Sequence, residues 1–166
     1  MPDNAVVRTT PGGTFAAGAF AVSDFNDLPG GMIAYQLRTA IQTSITTQVA
    51  LGALTLTITP AAYRILRISF NVLIQLTVAS PPDTFQIQIL KDGGPAYMAA
   101  WNYPFNYGSR DLTITNFVLD INPTAASHTY ALYGGRVQSN GAYQLSPTAT
   151  NPATLLIEDL GPAFSS

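Results

Sequence analysis

Cysteine is absent from this chain, and lysine, histidine and glutamate each occur once, as Lys91, His128 and Glu158. Without cysteine there are no disulfides and no thiolate metal sites, so the fold must hold by packing and backbone pairing alone. Charged residues make up only 10% of the 166 residues, against 47% hydrophobic ones, where roughly a quarter is usual for a soluble domain. Serine, threonine, asparagine and glutamine supply the polar faces instead. A surface with so little charge is expected to meet protein as well as water, which points to an oligomer or a subunit of a larger particle.

The same scarcity excludes several function classes. A net charge of −2 with six scattered arginines and one lysine offers no basic patch for counterion release, so nucleic acid is not an expected partner. The longest apolar stretch, Ala62 to Ala79, is interrupted by Arg64, Arg67, Asn71 and Gln75. A transmembrane helix would have to carry these into hydrocarbon at a cost of several kcal/mol, so no membrane span is expected. Met1 to Thr10 lacks the basic start and apolar run of a secretory signal, and use without Sec export is expected.

Acid, base and nucleophile chemistry has few players here. His128 lies in Ser127-His128-Thr129-Tyr130, read as a polar residue at a strand edge, and no Gly-x-Ser-x-Gly elbow accompanies it. Glu158-Asp159 and Asp24, Asn26, Asp27 lack the spacing of a calcium loop, and adjacent carboxylates on a strand point to opposite faces. Asp92-Gly93-Gly94 is turn chemistry with no helix after it to cradle phosphate. We therefore expect no enzyme activity, no catalytic residue, no cofactor and no metal.

What is present is period two. Leu66, Ile68, Phe70, Val72, Ile74, Leu76 and Val78 alternate with mostly polar residues, which is the pattern of a long half-buried strand, with Leu73 the apolar intruder on the polar face. Strands are also expected at Leu54 to Ile58, Phe85 to Leu90, Ala96 to Trp101, Leu112 to Ile121, His128 to Tyr133, Ala142 to Leu145 and Thr154 to Glu158. Turn signals separate them, and Asn140-Gly141 is the strongest hairpin signal. Within Leu112 to Ile121 the apolar phase shifts from Leu112 and Ile114 to Phe117, Leu119 and Ile121, for which a bulge near Asn116 is the expected cause. No helical caps with a sustained 3.6 period occur, so eight or nine strands and little helix are expected. The fold class is all-β, a single jelly-roll-type β-sandwich over 31–166, with an immunoglobulin-like strand order as the alternative.

The first thirty residues read differently. Pro11-Gly12-Gly13, Ala16-Ala17-Gly18-Ala19 and Pro29-Gly30-Gly31 break any period. Residues 1–30 are expected to form an extended N-terminal arm whose spaced apolar residues Val6, Val7, Phe15, Phe20, Val22 and Phe25 lie on a partner. The densest aromatic group is Tyr97, Trp101, Tyr103, Phe105 and Tyr107. Such residues fill the ends of sandwiches, anchor subunit interfaces and stack on sugars, and the residues alone leave all three readings open.

Two segments resemble tailed-phage structural proteins: Leu28-Pro29-Gly30-Gly31-Met32-Ile33-Ala34-Tyr35, continuing through Gln42 to Thr47, and the ending Leu155-Leu156-Ile157-Glu158-Asp159-Leu160-Gly161-Pro162. Ala126 to Leu132, with its His-Thr-Tyr, is similar to the penultimate strand of that group. The resemblance covers the chain from Leu28 onward, and its motifs mark strands, not a reaction. It implies a jelly roll of the tumour-necrosis-factor and C1q type, a homotrimer, and a place in the virion, either as a head decoration protein or as a module of tail and fibre proteins. A short arm with no second domain after Pro162 favours a decoration (cement) protein. Such a protein would be made in the bacterial host cytoplasm and bound to the major capsid protein or other virion proteins at the capsid surface. The alternative is a tail- or fibre-associated module that binds a host-receptor glycan.

Overall fold

A computed structural model describes residues 30–78, 83–94, 96–105, 111–138 and 141–163, apart from the side chain at 138. Ten strands follow one another: β1 (Gly31–Arg38), β2 (Gln42–Ile45), β3 (Val49–Ile58), β4 (Arg64–Val78), β5 (Asp83–Lys91), β6 (Tyr97–Phe105), β7 (Asp111–Ile121), β8 (His128–Gln138), β9 (Ala142–Leu145) and β10 (Ala153–Pro162). The fold is all-β, and the described residues contain no helix.

The strands form two antiparallel sheets. One runs β3-β8-β5-β6. The other runs β1-β10-β4-β9-β2, with β7 on the far side of β4. Five of the pairings are nested in sequence: β5 with β6, β4 with β7, β3 with β8, β2 with β9 and β1 with β10. A long antiparallel ribbon rolled so that its nested pairs fall in alternate sheets, the two outermost sharing one sheet here, is a jelly roll. The innermost pair closes on Lys91 to Gly94, where Asp92 and Gly93 both have positive φ (57° and 62°) and Gly94 N donates to Lys91 O at 3.2 Å. Two positive φ values with that hydrogen bond define a type I′ turn, which Asp-Gly favours.

The core lies between the sheets. Leu66, Ile68, Phe70, Val72, Ile74 and Leu76 of β4 are buried, as period two requires, and they meet Phe85, Ile87 and Ile89 of β5 and Tyr130 and Leu132 of β8. Val78, at the end of that run, is exposed. Phe85 and Phe105 pack on the Tyr143 ring with centroids 4.9 and 5.2 Å apart, within the range of favourable aromatic pairs.

Two local expectations fail. The pairing of β4 with β7 runs unbroken from Ile65 opposite Ile121 to Gln75 opposite Asp111, so no bulge lies near Asn116. Leu112, Ile114, Asn116, Val118 and Asp120 face inward, and Phe117, Leu119 and Ile121 face out of the sandwich. The apolar phase shifts because the second half of the strand is apolar on its outer face. Nor do β8 and β9, which flank Asn140-Gly141, form a hairpin. They belong to different sheets, so the chain crosses between layers there.

Candidate functional site

The outer faces of the two sheets differ in chemistry. That of β3-β8-β5-β6 carries hydrogen-bonded polar side chains alongside the exposed Tyr97 and Val137: Gln86 Nε2 donates to Asn102 Oδ1 at 2.9 Å, Gln88 Nε2 to Gln86 Oε1 at 2.6 Å, and the Thr57 and Thr129 hydroxyls lie 2.9 Å apart. That of the six-stranded sheet carries rows of apolar side chains across β1, β10, β4 and β7.

Strand register builds those rows, because side chains directly opposite on neighbouring strands share a face. Tyr35 stands opposite Leu156, Leu156 opposite Ser69 and Ser69 opposite Phe117, giving one row from edge to edge. The next row is Met32, Glu158, Arg67 and Leu119, and Ile65 with Ile121 forms a third. Phe117, Leu119 and Ile121 are 51%, 41% and 61% exposed, and Met32, Tyr35 and Leu37 are equally open. Strands rise about 3.4 Å per residue and lie about 4.8 Å apart, so the face carrying these side chains, with Ser69 and the Arg67–Glu158 pair within it, spans roughly 14 Å across four strands and about 14 Å along them. The apolar content of β1 and β7 thus goes beyond what their own sandwich buries.

Charge within this face is neutralised locally. Arg67 donates to Glu158 Oε2 from Nε at 2.7 Å and from Nη2 at 2.6 Å. Farther along β4 the face turns to amides: Asn71 Nδ2 donates to Asn151 Oδ1 at 3.1 Å, Thr115 Oγ1 to Asn71 Oδ1 at 2.8 Å, and Gln144 Nε2 to Gln75 Oε1 and to Ser146 Oγ. In the first two rows Ser69 and the Arg67–Glu158 pair thus stand between the apolar side chains of β1 and those of β7.

The titratable clusters tie elements together at the other end of the sandwich. His128 Nδ1 is 2.8 Å from Asp92 Oδ2, and its Nε2 lies 2.9 Å from Thr124 Oγ1 and 3.1 Å from Thr124 O. Asp92 Oδ1 also accepts Thr129 N at 2.7 Å. That backbone hydrogen bond, and then the one from His128, hold the Asp92 carboxyl below its ordinary range. The β5–β6 turn is thereby fastened to the start of β8. Asp120 Oδ2 accepts from Tyr130 OH at 2.5 Å and pairs with Lys91 Nζ at 2.7 Å, joining β7 to β8 and β5 across the sheets. Desolvation, then the Asp120 hydrogen bond, pushes the Tyr130 phenol well above the usual tyrosine range. Burial does the same to Tyr143, whose hydroxyl faces Asp83 without a hydrogen bond of ordinary geometry. Among the described residues, no three His, Asp or Glu side chains converge to hold a metal, and no helix is long and apolar enough to cross a membrane.

The aromatic group divides. Trp101, Tyr103 and Phe105 alternate on the inner face of β6: Trp101 stacks 5.4 Å from Phe70, Tyr103 packs on the core and meets Asn116 Nδ2 at 3.4 Å, and Phe105 is buried. Tyr97 is 53% exposed at the start of that edge strand. Tyr107 lies outside the described residues, as do the arm residues Val6, Val7, Phe15, Phe20, Val22 and Phe25. Sequence reasoning missed the sheet face. Its signal was present in Phe117, Leu119 and Ile121, an alternating apolar set out of phase with the inward one.

No protein-family model matches the chain, and none of the curated proteins matches it. Among solved structures, the chain is similar to the infectious bursal disease virus VP2 subviral particle, at 11% identity and a TM-score of 0.30, over 78% of this chain and 38% of that one. It is similar to the same degree to infectious bursal disease virus Gx strain, at 11% identity and a TM-score of 0.30, over 80% of this chain and 39% of that one. The chain therefore spans well under half the length of either.

Proposed function

We propose that this chain is a non-enzymatic structural protein of a tailed-phage virion: a capsid decoration (cement) protein that binds and stabilises the head shell as an oligomer. The observation that carries the reading is the outward apolar face of β1, β10, β4 and β7, which a subunit working by coverage requires and an isolated domain does not. Burial of such a face contributes roughly 25 cal/mol per Å², and many symmetric copies would reinforce a shell without any reaction. The two segments that resemble phage structural proteins also meet in space, since Gly31 stands opposite Asp159 on β1 and β10.

In this reading residues 1–30 form an arm that leaves the sandwich at the β1 edge of that same face. Val6, Val7, Phe15, Phe20, Val22 and Phe25 then contact the major capsid protein or a neighbouring subunit, and the oligomer is a homotrimer on the capsid surface. The test is to add the full chain, and a chain lacking residues 1–27 with its fold verified by circular dichroism, to particles stripped of this protein. The full chain is expected to rebind and the shortened one to stay in solution; rebinding of the shortened chain to full occupancy contradicts the arm.

The tail- or fibre-associated reading has Tyr97 in its favour, as the described aromatic of that group that projects to solvent. Loss of cell-surface adsorption in Tyr97→Ala, with assembly intact, would support glycan binding at the tail over decoration of the head.

A further inference from the structure

The chain's one lysine points into the sandwich. Phe85, Ile87 and Ile89 are the inward residues of β5, and period two places Lys91 next in that series. On the facing sheet Asp120 closes the inward series of β7 and is buried. The two meet across the layers with Nζ 2.7 Å from Oδ2, their side chains 23% and 11% exposed. Oδ2 also accepts from Tyr130 OH at 2.5 Å, and Nζ lies 5.9 Å from the centre of the Tyr130 ring. Tyr130 stands opposite Lys91 in the pairing of β5 with β8, so backbone register fixes the phenol and the amine beside one another.

Taking both charges out of water is costly, and their mutual attraction offsets that only with excellent geometry. Condensation removes both charges, because an ammonium and a carboxylate together hold the atoms of one amide and one water. Groups held in contact react as one molecule, with effective concentrations of about 10⁵–10⁸ M when well oriented. The other carboxylate pairs, Arg64 with Asp159 and Arg67 with Glu158, use guanidinium groups that do not give up a proton and so offer no nucleophile. Lys91 supplies a primary amine, and the Tyr130 hydroxyl supplies a proton donor on the oxygen that must leave.

From this we infer that Lys91 and Asp120 condense to an intramolecular isopeptide bond that ties β5 to β7 across the two sheets, with Tyr130 as the catalytic acid. One proton passes from Nζ to Oδ2, leaving a neutral amine and a carboxylic acid. The amine lone pair attacks Cγ, forming the N–C bond, and the Tyr130 hydroxyl donates to Oδ2. The Cγ–Oδ2 bond breaks, Oδ2 departs as water, and the second proton lost by nitrogen restores the phenol. The products are one amide and one water, with no oxidant or other reactant consumed. Burial keeps the Tyr130 phenol protonated and able to donate. The reaction occurs once per chain and does not rest on the virion reading, since the three residues meet within a single sandwich.

The experiment is intact-mass spectrometry of the denatured full chain, as wild type and as Lys91→Arg, Asp120→Ala and Tyr130→Phe, with folding verified beforehand by circular dichroism. The wild type is expected to be lighter than its sequence mass by one water molecule. Trypsin is expected to skip Lys91 and to yield peptide 68–110 joined to peptide 111–136. Lys91→Arg keeps the positive charge beside Asp120, and it is expected at full mass with a melting temperature lower by about 10 °C, as loss of a covalent loop closure implies for a chain of this size. Tyr130→Phe is expected mostly at full mass, because loss of a general acid slows its step by about 100-fold. A wild type at full mass after prolonged incubation at neutral pH overturns the inference. A water loss that persists in Lys91→Arg also overturns it and assigns the dehydration to a succinimide at Asp92-Gly93. Complete condensation in Tyr130→Phe overturns the role of the phenol. Should Asp120→Ala fail to fold, Lys91→Arg decides the matter alone.

Discussion

Gly30 packs so closely on Asp159 that a β-carbon at the glycine would lie 2.9 Å from the Asp159 carboxylate oxygen. That carboxylate is engaged by Arg64, with Nε 3.0 Å from both oxygens and Nη2 2.9 Å from Oδ2, and Oδ1 also accepts Gly161 N at 3.0 Å. The Gly-Gly entry, the Glu-Asp-Leu-Gly ending and the first residue of the long central strand are therefore one constellation. The Arg64 side chain is 6% exposed, so it cannot turn to water if its partner is lost.

Arg64→Met is accordingly expected to lower stability by about 3 kcal/mol, because it leaves a largely buried carboxylate unpaired. Adding Asp159→Leu should restore most of that loss, since the cost lies in the orphaned charge. Urea unfolding of the two variants measures both; equal instability would place the cost in the arginine's packing instead.

Gly134 and Gly135 sit side by side in β8, and their surroundings rank their tolerance. A β-carbon at Gly134 would meet the Leu51 and Phe85 side chains at 2.7 and 2.9 Å, whereas one at Gly135 would meet the backbone of Thr47 and Gln48 at 2.5 to 2.6 Å. Side chains can shift and backbone held by the β2–β3 connection cannot. Both alanine variants should be destabilised by about 1–3 kcal/mol, Gly135→Ala by more. Denaturant midpoints give the order.

Two of the eight tyrosines should be silent in an alkaline absorbance titration. Tyr130 and Tyr143 have phenols raised above the ordinary tyrosine value of 10.0, mainly by desolvation. A raised folded value means that their contribution to stability is complete below pH 10.0 and is lost as pH rises above it, because the unfolded chain ionises first. Their phenolate signal should appear only with unfolding, and Tyr130→Phe and Tyr143→Phe should each remove one tyrosine from that late step.

At the acid end the sign reverses. The carboxyl of Asp92 is depressed below 3.8 by the Thr129 amide and then by His128, with desolvation opposing and Lys91 adding a smaller effect. Its contribution is present above 3.8 and lost as pH falls through the lower folded value. Asn tolerates the positive φ at this turn position, so Asp92→Asn tests the charge alone. Its melting temperature should lie below that of the wild type near neutral pH, and the gap should close as pH drops well under 3.8.

Much of the sandwich was legible in the sequence because strands buried on one face alternate. The Leu66 to Leu76 run and the Asp92-Gly93 turn are local patterns with local causes. What escaped depends on partners across the sheet. β1 is an edge strand whose Tyr35 and Leu37 point out, so its alternation carries no mark of which face is the core. Phe117, Leu119 and Ile121 looked like a slipped register because apolar residues were assumed to face inward, a rule that holds only for a domain with nothing else to cover. The Asn140-Gly141 signal marks a change of direction and cannot say whether the next strand joins the same sheet. Trp101, Tyr103 and Phe105 were legible as an aromatic group, but only the register with Phe85 and Ile87 turns them inward.

Electron cryomicroscopy of the intact virion, at a resolution that orients the sandwich, decides whether this chain works by covering its apolar face. The expected density places the jelly roll on the head with Tyr35, Phe117 and Leu119 against a neighbouring protein subunit and the Gln86–Gln88 face toward solvent. A particle in which the Phe117 face is bathed in solvent, or in which this chain is absent, contradicts it.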